Sequence, residues 1–239
     1  MSNKGQFMKK DNIEYPNWFK AKYLVYYLID TIKDISEDEA KEVFDRMLDK
    51  QTWSVLIEIC TNDSVTFNFA FIKEETPSFG FDDTTSFIED NNEKCFNVLN
   101  GIPYPVLFAM NINVNKKNAI LTYLNTIKDV LIWQTIILLD KKYEKYPKNS
   151  KIKGYNNPKE INAYTGQLLS MVNELGYNNY KELVNCVEKG KEFTLLYLDK
   201  NFEKSYACKN LREFIVELTN ENYMKLIDYI KSQDLFMKE

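Results

Sequence analysis

The fold is predicted most directly by residues 53–73, which read WSVLIEICTNDSVTFNFAFIK. Apolar side chains alternate with other residues on both sides of a short polar segment, TNDS at 61–64. Alternation with a period of two is typical of half-buried strands, and Asn, Asp and Ser favour turns. The stretch therefore predicts an antiparallel β-hairpin.

Two helices are predicted before this hairpin. The apolar residues that follow Pro16 recur at helical spacing, and a second helix is expected over about 37–49. Ser36 and Glu39 form the pattern of a capping box, in which each side chain satisfies the backbone N–H of the other residue. The second helix is therefore expected to begin directly after Ser36.

The residues after the hairpin complete the predicted α/β half. We expect a short strand at 84–88, a helix from residue 90 or 91 to 99, and a buried strand at 105–114.

From about residue 117 the pattern becomes helical. Five helices are expected, over 118–143, 158–175, 178–189, 205–218 and 220–236. Asn157-Pro158 is a typical helix start, and Gly176 a typical stop. Asn178 or Asn179 is expected to cap the helix that follows Gly176. The run EFTLLYLD at 192–199 fits either a strand or a helix.

These elements predict an α+β protein, with a small mixed β-sheet flanked by helices in the N-terminal half and an all-helical C-terminal part. The predicted organisation is a polar tail at 1–14, an α/β domain at 15–116 and a helical domain at 117–239.

The composition excludes several kinds of chemistry. The chain of 239 residues contains no histidine, so catalysis by a Ser-His or Cys-His pair is excluded. Its 7 glycines do not form the known phosphate-binding loops, and its 4 cysteines form no C-x-x-C pair. We expect a cytoplasmic protein with reduced thiols and no membrane span, because polar residues interrupt the apolar stretch at 119–140.

All but two of the 31 basic residues are lysine, which indicates an AT-rich genome. Arg46 and Arg212 alone carry the guanidinium group that recognises phosphate or guanine with two hydrogen bonds. The lysine-rich segment 141–153 is a possible nucleic-acid contact, but a solvated linker is favoured. A protein partner is therefore favoured over nucleic acid, and the oligomeric state is left open.

One group of residues resembles a known catalytic motif. The predicted order of helix, three strands, helix and strand over residues 18–113 resembles the restriction-endonuclease-like fold, with Glu58, Asp63 and Lys73 in the segment IEICTNDSVTFNFAFIKEE. The resemblance implies a Mg²⁺-dependent nuclease in which the two carboxylates hold the metal ion. Lys73 would stabilise charge on the attacking water or on the scissile phosphate. The position two before Lys73 is Phe71, where the family has Glu or Gln.

Three interpretations of Glu58, Asp63 and Lys73 remain: ordinary hairpin-surface residues, an inactive nuclease-like scaffold, or a divergent active nuclease. The favoured function is a non-catalytic interaction or regulatory protein without a cofactor. It would be an accessory, inhibitor or immunity-type component of an AT-rich bacterium, phage or mobile element, for example in phage defence. The alternative is the Mg²⁺-dependent nuclease.

A metal titration tests this choice. A metal ion at 100 times its dissociation constant adds about 2.7 kcal/mol to the free energy of unfolding. We expect millimolar Mg²⁺ or Mn²⁺ to leave the melting temperature unchanged, because Phe71 replaces a needed ligand. A rise that Asp63→Asn abolishes would contradict this expectation.

Overall fold

The computed structural model describes residues 15–48, 53–60, 63–71, 87–90, 93–100, 116–139, 154–205 and 207–238. Within them the chain forms eight α-helices: α1 (Asn17–Asp34), α2 (Glu37–Leu48), α3 (Lys116–Leu139), α4 (Pro158–Leu175), α5 (Tyr177–Lys189), α6 (Lys191–Phe202), α7 (Cys208–Glu217) and α8 (Asn220–Ser232). Four strands are placed by their backbone: β1 (Trp53–Cys60), β2 (Asp63–Phe71), β3 (Phe87–Asp90) and β4 (Glu93–Asn100).

The α+β class expected from the sequence is wrong for the part of the chain whose side chains the structure describes. That part is mostly helical, and neither a strand nor a sheet lies within it. The physical reason is that its apolar residues recur every three or four positions and pack helix against helix. The ambiguous run at 192–199 belongs to this part and lies in helix α6.

The strand backbones confirm the antiparallel hairpin predicted over residues 53–73, but they differ from the prediction after it. They lie in the order β1-β2-β4-β3, with β1 and β2 antiparallel and β2 and β4 parallel. The helix predicted up to residue 99 is wrong, because residues 93–100 pair with β2 as strand β4. Its Cys95, Phe96 and Val98 suit a strand as well as a short helix, so the pairing partner decides the conformation.

The nuclease-like fold is therefore wrong as well. Its helix between the third and fourth strands was expected to run up to residue 99, but residues 93–100 form strand β4. The strand predicted at 105–114 lies outside the described residues.

The folded chain divides into two compact units. One comprises residues 26–125, and the other comprises residues 14–25 together with 126–239. The domain boundaries expected from the sequence, 15–116 and 117–239, stay predictions.

In the first unit the predicted capping box is confirmed. The Ser36 hydroxyl accepts a hydrogen bond from the Glu39 backbone N–H at 3.2 Å, and the Glu39 carboxylate accepts one from the Ser36 backbone N–H at 2.8 Å. The hydrogen bonds that the Glu39 carboxylate accepts from the Ser36 backbone N–H and hydroxyl lower the pKa of Glu39. Helix α2 begins at the next residue, Glu37, as the pattern predicted.

The core of the second unit is built around four large, fully buried side chains: Trp18, Tyr180, Tyr197 and Phe214. The polar ends of the first two are satisfied inside the core. The Trp18 indole N–H donates to Gln233 Oε1 at 2.9 Å, and the Tyr180 hydroxyl donates to the Ile230 carbonyl at 2.8 Å. Both bonds hold the end of α8 against earlier parts of the chain.

Single glycines connect three consecutive helices. Gly176 alone separates α4 from α5, and Gly190 alone separates α5 from α6. Their φ angles are 89° and 120°, with ψ near 180°, a backbone conformation that is essentially restricted to glycine. Gly176 ends α4 as predicted. It also precedes α5 directly, so the expected caps Asn178 and Asn179 lie inside that helix.

A third glycine allows three helices to approach closely. A Cβ atom on Gly166 of α4 would lie 2.7 Å from Ile136 Cδ1 of α3 and 2.9 Å from Trp18 Cβ of α1. Both distances are shorter than normal carbon contacts. The absence of a side chain at residue 166 is therefore a packing requirement.

We expect Gly166→Ala to destabilise the protein by about 1–2 kcal/mol. Overpacking costs about 1–3 kcal/mol, and the better helix propensity of alanine returns about 1 kcal/mol at most. Urea unfolding measures the change. Adding Ile136→Val removes the closest atom, so the effect of Gly166→Ala should be smaller in that background. A Gly166→Ala variant as stable as the wild type would contradict the packing argument.

Candidate interaction surface on helix α6

The residues of the predicted metal site are only partly described. Glu58 lies on β1 and Asp63 is the first residue of β2, where the backbone pairs Glu58 with Ser64 and Cys60 with Asp63. Lys73 lies outside the described residues, as does the lysine-rich segment 141–153. Among the described side chains, no group of three or more Cys, Asp or Glu residues is placed to hold a metal ion. The assignment of Glu58, Asp63 and Lys73 stays a prediction.

Helix α6 is anchored to the second unit by one face, which carries Thr194, Tyr197 and Leu198. Thr194 Oγ1 and the Tyr223 hydroxyl are 2.7 Å apart and share a hydrogen bond. The Tyr197 hydroxyl donates to the Asn179 carbonyl at 3.1 Å. Because these bonds join α6 to two other helices, they fix the rotation of α6 about its axis.

Both ends of α6 are also tied to its neighbour α7 or to the segment that follows it. Near the start, Lys191 Nζ donates to the Val216 carbonyl at 3.0 Å and to the Leu218 carbonyl. Near the end, Asp199 forms an ion pair with Arg212. The side chains on the outer face of α6 are therefore presented by a helix held along its length.

That outer face carries an apolar pair, Phe193 and Leu196, whose side chains are 44% and 60% exposed. Residues three apart on a helix are neighbours, so the two side chains form one continuous surface. Four other large apolar side chains are exposed in the described part: Leu175, Val216, Met224 and Leu235. Three of them lie on three different helices and Leu235 lies in a turn, so the apolar pair is the one place there where two share a helix.

Charged side chains surround the apolar pair. Lys189 Nζ lies 5.7 Å from the centroid of the Phe193 ring, a cation–π distance. Lys200, one turn beyond Leu196, pairs with Glu182 of α5 at 2.6 Å. A small apolar centre with a charged rim is the usual arrangement of a protein–protein interface.

The two thiols near this surface are not activated for chemistry. Burial raises the pKa of Cys186, and the nearby Glu182 raises it further. Burial also raises the pKa of Cys208, with Asp199 acting in the same direction. Because the thiolate is the nucleophile, a raised pKa makes both groups less reactive than a free cysteine.

Phe193 and Leu196 were missed by sequence reasoning, because the run at 192–199 fits both a strand and a helix. On a helix the apolar residues surround the axis, which normally indicates burial. The available signal was the split between Thr194 and Tyr197 on one face and the apolar pair on the other. Which of these side chains are exposed depends on which face of α6 the rest of the chain covers.

No family model, curated protein or solved structure matches the chain. Among the described helices, none combines the length and the hydropathy needed to cross a membrane.

The anchoring of α6 can be tested by Tyr223→Phe. The Tyr223 hydroxyl also donates to the Val187 carbonyl at 3.1 Å, so its removal leaves buried groups on two helices without this partner. We expect a loss of about 1–2 kcal/mol in the free energy of unfolding, measured with urea. Met224→Ala, at an exposed position on the same helix, should change it by less than about 0.5 kcal/mol. Equal stability of Tyr223→Phe and wild type would refute the anchoring role.

Proposed function

We propose that this chain is a non-catalytic interaction or regulatory protein that binds a protein partner through Phe193 and Leu196 of α6. The observation that carries the proposal is the exposure of two neighbouring apolar side chains on a helix whose opposite face is firmly anchored. Aromatic and aliphatic anchors of this kind supply much of the binding energy of small interfaces.

The charges around the apolar pair favour a protein over a nucleic acid. Lys189 and Lys200 are accompanied by the acidic residues Glu182, Glu192 and Asp199, so the rim carries both signs of charge. Nucleic-acid surfaces need a clear excess of cations to replace the counterions of the phosphates. A rim of mixed sign instead suits a partner with complementary charges of both signs.

The proposed setting is the cytoplasm of an AT-rich bacterium, or a phage or mobile element, where the chain acts as an accessory, inhibitor or immunity-type component. The free thiols of Cys186 and Cys208 suit a reducing compartment. The nearly exclusive use of lysine over arginine supports the AT-rich source. No cofactor is part of this proposal.

Affinity capture from the native host tests the proposal. We expect a defined protein to be retained by the wild type and lost with the double variant Phe193→Glu, Leu196→Glu. Removing two anchors should weaken binding by about 100-fold or more. The matched control is Met224→Glu, which places the same charge at an isolated exposed apolar position and should retain the partner.

Melting temperatures of all three proteins verify that they are folded. Capture that survives the double variant would refute the role of α6. Cleavage of plasmid, single-stranded DNA or RNA by the purified protein with Mg²⁺ would refute the non-catalytic assignment.

A further inference from the structure

The outer face of α6 has a different composition on each side of Leu196. At about 100° per residue, position i+4 of a helix lies about 40° to one side of residue i, and position i+3 lies about 60° to the other side. Phe193 and Lys200 therefore lie on one side of Leu196, whereas Glu192 and Asp199 lie on the other. Leu196, which is 60% exposed, stands between the two sides.

The side of α6 next to α5 is basic. Lys200 pairs with Glu182 of α5 at 2.6 Å, which places it on this side. Lys189, the last residue of α5, holds its Nζ atom 5.7 Å from the centroid of the Phe193 ring, so its charge lies beside the start of α6. We call Lys189 and Lys200 the basic row.

The side of α6 next to α7 is acidic. Asp199 forms an ion pair with Arg212 of α7, and Glu192 lies about two turns earlier on the same side of α6. Both carboxylates belong to exposed residues. We call Glu192 and Asp199 the acidic row. Leu196 therefore separates two rows of opposite charge.

This surface is complementary to itself when two copies meet with their α6 helices parallel. A two-fold axis along the helix direction places Leu196 of one copy against Leu196 of the other, and the basic row of each copy against the acidic row of the other. Lys200 then lies level with Asp199 of the second copy. The Lys189 ammonium, held beside the start of α6, meets Glu192 of the second copy. Every contact between the rows joins opposite charges.

The antiparallel arrangement of two copies is unfavourable. It places each row against the same row of the other copy, so that Lys189 meets Lys200 and Glu192 meets Asp199. Like charges that meet at an interface cost free energy and disfavour that arrangement. The charges therefore select the parallel pairing over the antiparallel one.

The charged groups of both rows are available for this pairing. The side chains of Lys200 and Asp199 are 64% and 47% exposed, and exposed ion pairs are weak enough for both residues to exchange partners. Lys189 and Glu192 have no ion pair within the described part of the chain. The apolar area is small, so the dimer should be weak, with a dissociation constant of about 10–100 μM.

We propose that the partner of the apolar pair is a second copy of this chain, bound with the two α6 helices parallel and each basic row against the acidic row of the other copy. The inference rests on the proposed function, because it names the partner of the same surface. A second copy supplies both signs of charge, as a rim of mixed sign requires.

Sedimentation equilibrium of the purified full-length chain tests the inference. We expect the wild type to change from monomer to dimer as its concentration rises from about 1 μM to about 500 μM. The double variant Phe193→Glu, Leu196→Glu should stay monomeric over this range. The matched control Met224→Glu, which places the same charge at an isolated exposed apolar position, should dimerise as the wild type does.

Charge reversal tests the contact between the two rows. Lys189→Glu brings two carboxylates together in each contact, and Glu192→Lys brings two ammonium groups together, so each variant alone should dimerise about tenfold more weakly. An equimolar mixture of the two variants should associate as the wild type does, because every contact then joins opposite charges. Melting temperatures verify that each variant is folded.

A wild type that stays monomeric at about 500 μM overturns the inference, as does a mixture that associates no better than each variant alone. Neither result contradicts the proposed function, which affinity capture of a different host protein would still support.

Discussion

Residue 166 has no side chain, and three helices of the second unit meet at this point. Because α4 lacks a Cβ there, Ile136 of α3 and Trp18 of α1 approach its backbone within distances that alanine would not allow. Trp18 in turn holds the end of α8 through Gln233. The approach of α3 to α4 also brings Asp129 and Gln167 together. The packing of Trp18 and Ile136 against α4 thus depends on one glycine, and through Trp18 it reaches the end of α8.

The buried polar groups of the second unit differ in whether they form hydrogen bonds with other protein atoms. Around α6, hydroxyl groups such as those of Thr194, Tyr197 and Tyr223 pair with one another or with carbonyls, which makes the helix a rigid support. Between α3 and α4, Asp129, Gln167 and others keep atoms without partners. The first arrangement suits the presentation of a fixed surface.

Structural features that depend on residues within one helical turn were predictable from the sequence. Features that depend on packing between distant segments were not. The Ser36 capping box and the Asn157-Pro158 start of α4 depend on bonds within one turn, and both are present. The apolar patterns of residues 93–100 and 192–199 fit both a strand and a helix. The conformation of each segment therefore depends on the distant segments that pack against it. The exposure of the apolar pair on α6 depends on which faces other helices cover. The spacing of apolar residues in the sequence does not specify which helix faces are covered.

The single-glycine connections between α4, α5 and α6 bear on how this unit folds. Helices joined by one residue pack against their immediate neighbours in the chain, so their contacts close very short loops. Contacts of this kind form early and fast. The bond from Trp18 to Gln233 spans 215 positions and must wait until α8 has been made. Synthesis on the ribosome therefore leaves the Trp18 indole without this partner until residue 233 has emerged.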